Sequence, residues 1–150
     1  EAVFDPLIQW NEHTDFGIRH FSGTATYHKS FEVSAADAKE DAWLELGAVA
    51  ALAEVKLNDR NLGIAWTAPW RVKLTGALKA GGNKLEIEVT NAWANRMVGD
   101  CYLSPEERIT RSNMQYEKGK RTLKSFQGFA SSDALQPCGL KGPVSVTFFQ

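Results

Sequence analysis

Two short stretches of this 150-residue chain carry side chains able to grip a ligand. They are Trp66-Thr67-Ala68-Pro69-Trp70-Arg71 and Asn91-Ala92-Trp93-Ala94-Asn95-Arg96, and they hold three of the five tryptophans. An indole face stacks on the C–H face of a pyranose, and Arg or Asn beside it offers donors to hydroxyls and carboxylates. Trp66, Trp70, Arg71, Asn91, Trp93, Asn95 and Arg96 are therefore the candidate ligand-binding residues. Each also has a plainer reading. Trp66 or Trp70 can fill a small core. Trp93 continues the alternation of the run before it, on the face of Leu85, Ile87, Val89 and Asn91, which predicts burial. Asn91, Asn95 and Arg96 either bind a ligand or satisfy loop carbonyls. Asp100 is available to pair with Arg96 or Arg71.

Catalytic signatures are missing. No P-loop, glycine-rich dinucleotide fingerprint or Gly-x-Ser-x-Gly elbow occurs. His13, His20 and His28 lack zinc-ligand spacing. Glu106-Glu107 is an adjacent carboxylate pair in a polar stretch, whereas glycosidase carboxylates converge from separate segments. No catalytic residue is assigned, and no cofactor is implied with certainty. A structural calcium held by carbonyls and one or two carboxylates leaves no sequence pattern and stays open. Cys101 and Cys138 form either a disulfide, if the chain is exported, or two partly buried thiols.

The elements that must position the candidates are short strands. Thr24–Val33 carries Ala25, Tyr27 and Phe31 among polar residues. Ala42–Leu46 puts Leu44 and Leu46 on one face, and Ala53–Leu57 does the same with Val55 and Leu57. Arg71–Leu74 is a further short run. Lys84–Thr90 alternates most cleanly, with Leu85, Ile87 and Val89 opposite Lys84, Glu86 and Glu88. Val144–Phe148 sets Val144, Val146 and Phe148 on one face. Period-2 patterning of this kind marks strands with one buried face. Turn residues separate them at Asn58-Asp59-Arg60-Asn61 and Gly63, at Ala80-Gly81-Gly82-Asn83, and at Gly139 and Gly142-Pro143. Helix signals are confined to single turns at Ser34–Lys39, with Ser34 as N-cap, and Thr75–Leu78. Many short strands and few helices predict an all-β, antiparallel jelly-roll sandwich. Glu1–Ile18 lacks periodicity and is expected to wrap it. Ser104–Gln136 is long for a structureless loop, with Tyr116, Phe126 and Phe129 as isolated aromatics.

A chain of 150 residues, 43% hydrophobic and 23% charged, suits one β-sandwich domain over 1–150. Its net charge of −1 gives no electrostatic grip on nucleic acid. No apolar run reaches the length of a membrane-spanning helix. The start at Glu1 predicts a processed chain or a fragment of a larger multidomain enzyme.

Gly23-Thr24-Ala25-Thr26-Tyr27, Leu44-Glu45-Leu46-Gly47 and Ala53-Glu54-Val55-Lys56-Leu57-Asn58 resemble the galactose-binding-like sandwich domains attached to glycoside hydrolases. So do Leu62-Gly63, Trp66–Arg71, Gly82-Asn83-Lys84-Leu85-Glu86-Ile87, Asn91–Asp100 and Leu135–Val144. The likeness runs in order through Gly23–Phe148. It is closest to the C-terminal sandwich of family 106 α-L-rhamnosidases and related family 2-like domains. Cys138 departs from the small residue usual there, and Ser104–Gln136 looks particular to this chain. The resemblance implies a jelly-roll of about eight strands. It also implies an extracellular or periplasmic bacterial enzyme and catalytic residues lying elsewhere in the polypeptide. The expected partners are a polysaccharide or oligosaccharide and the parent enzyme's catalytic domain. Two functions follow: a non-catalytic carbohydrate-binding module for plant cell-wall glycan, pectic or rhamnose-containing, or a structural accessory domain without glycan affinity.

Overall fold

The computed structural model describes residues 1–111 and 128–149. Of the aromatics in the long loop, Tyr116 and Phe126 lie outside the described residues. Among the described residues the strands are β1 (Thr24–Val33), β2 (Asp41–Glu45), β3 (Ala48–Ala50), β4 (Leu52–Leu57), β5 (Arg60–Ala65), β6 (Arg71–Lys73), β7 (Gly81–Thr90), β8 (Gly139–Gly142) and β9 (Ser145–Phe149). Two short helices are α1 (Phe16–Arg19) and α2 (Ala94–Asp100). The chain divides into two compact units interleaved in sequence. One comprises Glu1–Gln9, Thr24–Asn91 and Cys138–Gln150; the other comprises Trp10–Gly23 and Ala92–Pro137.

The first unit contains every strand among the described residues. Its sheets run β1-β7-β4-β5, β6-β2-β9 and β3-β8, and all named strand pairs are antiparallel. The expected all-β, antiparallel sandwich is borne out. Alternation explains the core. Ala53, Val55 and Leu57 of β4, Leu85, Ile87 and Val89 of β7, and Ala42 and Leu44 of β2 are buried, as are Leu46 and Leu74 just past strand ends. Each such aliphatic side chain contributes about 1.5–3 kcal/mol by leaving water. The turn between β4 and β5 is tighter than the sequence predicts. Asn58 and Asp59 alone make it, with φ of 51° and 67°, and Arg60 already pairs with Leu57. Positive φ at both central residues matches the right-handed strand twist, and Asn and Asp tolerate it. Asn83 ties the start of β7 internally. Its amide binds both the N–H and the carbonyl of Lys79, the carbonyl of Gly81, and the side chain of Asn58.

The expected buried face of Val144, Val146 and Phe148 is corrected. Val144 and Val146 are half-buried and Phe148 is exposed. The reason is position: β9 is an edge of its sheet, so its side chains have neighbours on one flank only. The one-turn reading near Ser34 holds as a 3-10 turn at Asp37–Lys39, where the Ser34 hydroxyl accepts from the Asp37 N–H at 3.1 Å.

The second unit contains α1, α2 and the loops around them. Asp15 caps α1 by accepting from the Ile18 N–H at 2.9 Å. Trp10, in a 3-10 turn, is buried and meets Phe21 edge-on at 5.3 Å between centroids. The sequence reading missed α2.

Candidate functional site

The seven candidate residues divide between the units. Trp66, Trp70, Arg71 and Asn91 belong to the first; Trp93, Asn95 and Arg96 belong to the second.

In the first unit, Trp66 follows the last residue of β5 and is 72% exposed. Trp70 is half-buried, and its carbonyl accepts from the Leu46 N–H at 2.8 Å, which fixes the approach to β6. Arg71 opens β6. Its guanidinium lies over Trp43, 4.6 Å from the ring centroid, and its Nη1 is 3.8 Å from Glu45 Oε1. Strand register produces this: Arg71 pairs with Glu45, and Trp43 is the next residue on the same face. Trp43, which sequence reasoning left as packing, therefore holds the arginine at a cation–π distance. Asn91 is half-buried just past β7.

In the second unit the expected burial of Trp93 is corrected: the ring is 60% exposed. β7 ends at Thr90 and the chain turns into α2, so the period of two that predicted burial stops short of Trp93. The helix carries the polar residues inward instead. Asn95 is buried, donates to the Gln136 carbonyl at 2.8 Å and accepts from the Gln136 N–H at 2.7 Å. Both ends of its amide are spent on that loop. Arg96 is 8% exposed, its backbone N–H donates to Ser22 Oγ, and its Nε lies 3.0 Å from Asp100 Oδ1. Of the two pairings open to Asp100, the helical spacing of four residues selects Arg96.

Asp100 is fully buried and accepts from the Ile109 N–H, the Thr110 N–H and the Thr110 hydroxyl. Burial pushes its carboxyl up, but the Thr110 and Ile109 hydrogen bonds and the Arg96 charge outweigh that and hold it below its ordinary 3.8. His20 is buried beside this pair, with Nδ1 donating to the Phe16 carbonyl at 2.9 Å. Burial lowers its imidazole below 6.5, the Phe16 bond works the other way, and the Arg19 and Arg96 charges lower it further. Both shifts make the fold acid-sensitive. An imidazole that folds neutral protonates more readily in the unfolded chain, so stability falls as pH drops below about 6.5. A carboxyl depressed on folding stabilises above 3.8, and that contribution is lost as pH falls through its lower folded value. Urea midpoints are expected to hold level from pH 8 to about 7 and to decline between about pH 6.5 and 5, and His20→Phe is expected to flatten that decline. An unchanged slope in the variant would remove His20 as its source.

The cysteines are held as thiols, and burial pushes the Cys101 thiol up while Arg108 lowers it and Asp100 raises it. Among the described residues no group of three or more His, Cys, Asp or Glu converges as a metal site, and no helix is long and apolar enough to cross a membrane.

The fold and site define an antiparallel β-sandwich domain with an exposed indole at a strand end. Residues 1–140 match the family described as glycosyl hydrolase 2 galactose-binding domain-like, and the chain belongs to that family. It is 38% identical, over 95% of its length and 13% of the relative's, to a protein of Formosa agariphila provisionally named a beta-glucuronidase. The solved rhamnosidase of Novosphingobium sp. PP1Y superposes with a TM-score of 0.77 at 34% identity, over 93% of this chain and 12% of that one. The β-D-glucuronidase of Dictyoglomus thermophilum superposes with a TM-score of 0.51 at 24% identity, over 59% of this chain and 16% of that one, a likeness of fold alone. The chain thus spans about an eighth of the relatives it matches at higher identity.

Proposed function

We propose that this chain is a non-catalytic, sugar-contacting domain of an exported bacterial enzyme that degrades plant cell-wall glycan, pectic or rhamnose-containing. The exposed indole of Trp66 carries the reading. A large rigid ring left 72% in water at a strand end costs little entropy to engage and offers a flat apolar face to a pyranose. Arg71, held on Trp43, supplies donors from the same unit. Family membership supports the enzyme context, and the small share of each relative that the chain covers supports catalysis elsewhere in the polypeptide.

Affinity electrophoresis of the 150-residue protein in pectic, hemicellulosic and rhamnose-rich polymers tests the proposal. Retardation in at least one is expected, with micromolar to millimolar affinity, roughly −8 to −4 kcal/mol. Trp66→Ala is expected to weaken it at least about tenfold, or 1.4 kcal/mol, while leaving the thermal midpoint unchanged. Migration unaffected by every polymer would overturn the binding reading. It would leave the structural accessory reading, which the exposed Trp93, Tyr102 and Ile109 of the second unit favour as an apolar contact for the enzyme's catalytic domain.

A further inference from the structure

A sheet edge is an open template for another strand, and folded chains close it with charge, brevity or a bulge. Every other edge of the first unit, among the described residues, carries such a device. β1 exposes His28, Lys29 and Glu32. β5 starts at the exposed Arg60, and its register against β4 breaks between Val55 and Lys56. β6 is three residues long, and two of them are Arg71 and Lys73. β3 and β8 are three and four residues long, and their register shifts between Ala48 and Val49. β9 differs. Ser145-Val146-Thr147-Phe148-Phe149 has no charge and no proline, and its register with β2 is unbroken. Among the described residues it pairs with β2 alone.

The side chains of β9 show the same opening. Val146 and Phe148 stand opposite Leu44 and Ala42, both buried, so they lie on the core side of the sheet. Phe148 is nevertheless 38% exposed, and Phe149 on the other face is 45% exposed. One further strand beside β9 would cover the open flank of both rings. The sequence of β9 also fits itself. Antiparallel pairing of two copies centred on Thr147 sets partners an even number of residues apart, so core-side residues stay on the core side. Val146 of each copy then meets Phe148 of the other, a β-branched side chain beside an aromatic, and Ser145 meets Phe149. No like charges are brought together.

We propose that β9 is a self-pairing edge, through which two copies of this chain join about a twofold axis at Thr147 and fuse their three-stranded sheets into one. A strand from elsewhere in the parent enzyme would require no such self-complementarity. The edge is short, so the contact is weak and reversible, smaller than that of a permanent dimer. It uses no residue of the Trp66 region and holds with or without bound sugar.

Sedimentation equilibrium of the 150-residue protein tests it. The weight-average mass is expected to rise from one copy toward two between about 10 µM and about 1 mM. Thr147 is exposed, so Thr147→Lys and Thr147→Glu should fold as the wild type does, with the thermal midpoint as the check. Each places like charges directly opposite one another at the axis and should weaken self-association at least about tenfold. Mixing the two variants sets Lys against Glu and should restore association, which a merely structural effect of either substitution cannot do. Thr26→Lys, on the charged edge β1, should change nothing. A protein that stays monomeric throughout would overturn the proposal and leave β9 to a strand of the parent enzyme. Undiminished association of the Thr147 variants, an equal loss in Thr26→Lys, or a mixture no better associated than either variant alone would overturn it too.

Discussion

Replacing Asp100 with alanine is expected to cost about 3–5 kcal/mol of folding stability, because it strands the buried Arg96 guanidinium. The loss has two parts. Arg96 is 8% exposed and, among the described residues, pairs with no other carboxylate, so its charge stays in low dielectric without a counter-charge. The Ile109 and Thr110 N–H groups and the Thr110 hydroxyl also lose their acceptor. Asp100→Asn separates the two, since the amide keeps one acceptor oxygen but removes the charge, and it should fall between wild type and alanine. The double variant Arg96→Met/Asp100→Leu should recover much of the loss, because paired apolar replacements of similar volume remove the desolvation penalty with the charges. Urea unfolding followed by tryptophan fluorescence gives all four stabilities. A cost for Asp100→Ala under about 1 kcal/mol would mean that this pair is a solvated surface contact.

That same pair shows why the site was harder to read in the sequence than the fold. Strands announce themselves by apolar alternation, and Leu85, Ile87 and Val89 made β7 legible even though its first residues, Gly81 and Gly82, carry no such signal. Those glycines belong to the strand because Val33 and Glu32 pair with them, a tertiary fact. Ala48–Ala50 failed for the opposite reason. Three small residues show no period, and the strand exists through its pairing with β8. Helix α2 was invisible because its buried side is polar: Asn95, Arg96 and Asp100 face inward, with Asn95 bonded to Gln136, Asp100 to Ile109 and Thr110, and Arg96 set against the Asp100 charge. Hydrophobic periodicity cannot register burial achieved by hydrogen bonding. The four-residue spacing of Arg96 and Asp100 was the available signal. The exposure of Trp66 and Trp93 had no sequence signature, since an indole beside a strand is equally at home in a core.

Gly47→Ala is expected to destabilise the first unit by about 3 kcal/mol, combining a left-handed backbone cost of about 1–2 kcal/mol with an overpacking cost of about 1–3 kcal/mol. Gly47 holds φ of +69°, where a Cβ is strained in any surroundings. Its surroundings are also closed. The added Cβ would lie 2.3 Å from the Gly142 carbonyl carbon and oxygen and 2.8 Å from the Pro143 nitrogen, all backbone atoms that no rotamer change can move. Relief requires prising apart the Gly47–Gly142 bridge, and with it the adjoining pairing of Ala48 and Gly142 that aligns β3 with β8. Gly76→Ala supplies the control. Gly76 has nearly the same φ, +72°, but nothing lies within 4 Å of the point an added Cβ would occupy, so that variant should show the conformational cost alone. The difference between the two urea-derived stabilities measures the close approach of the chain at Gly142. If both variants lose the same amount, the bridge yields freely, and the contact that draws β8 against β3 contributes nothing to stability.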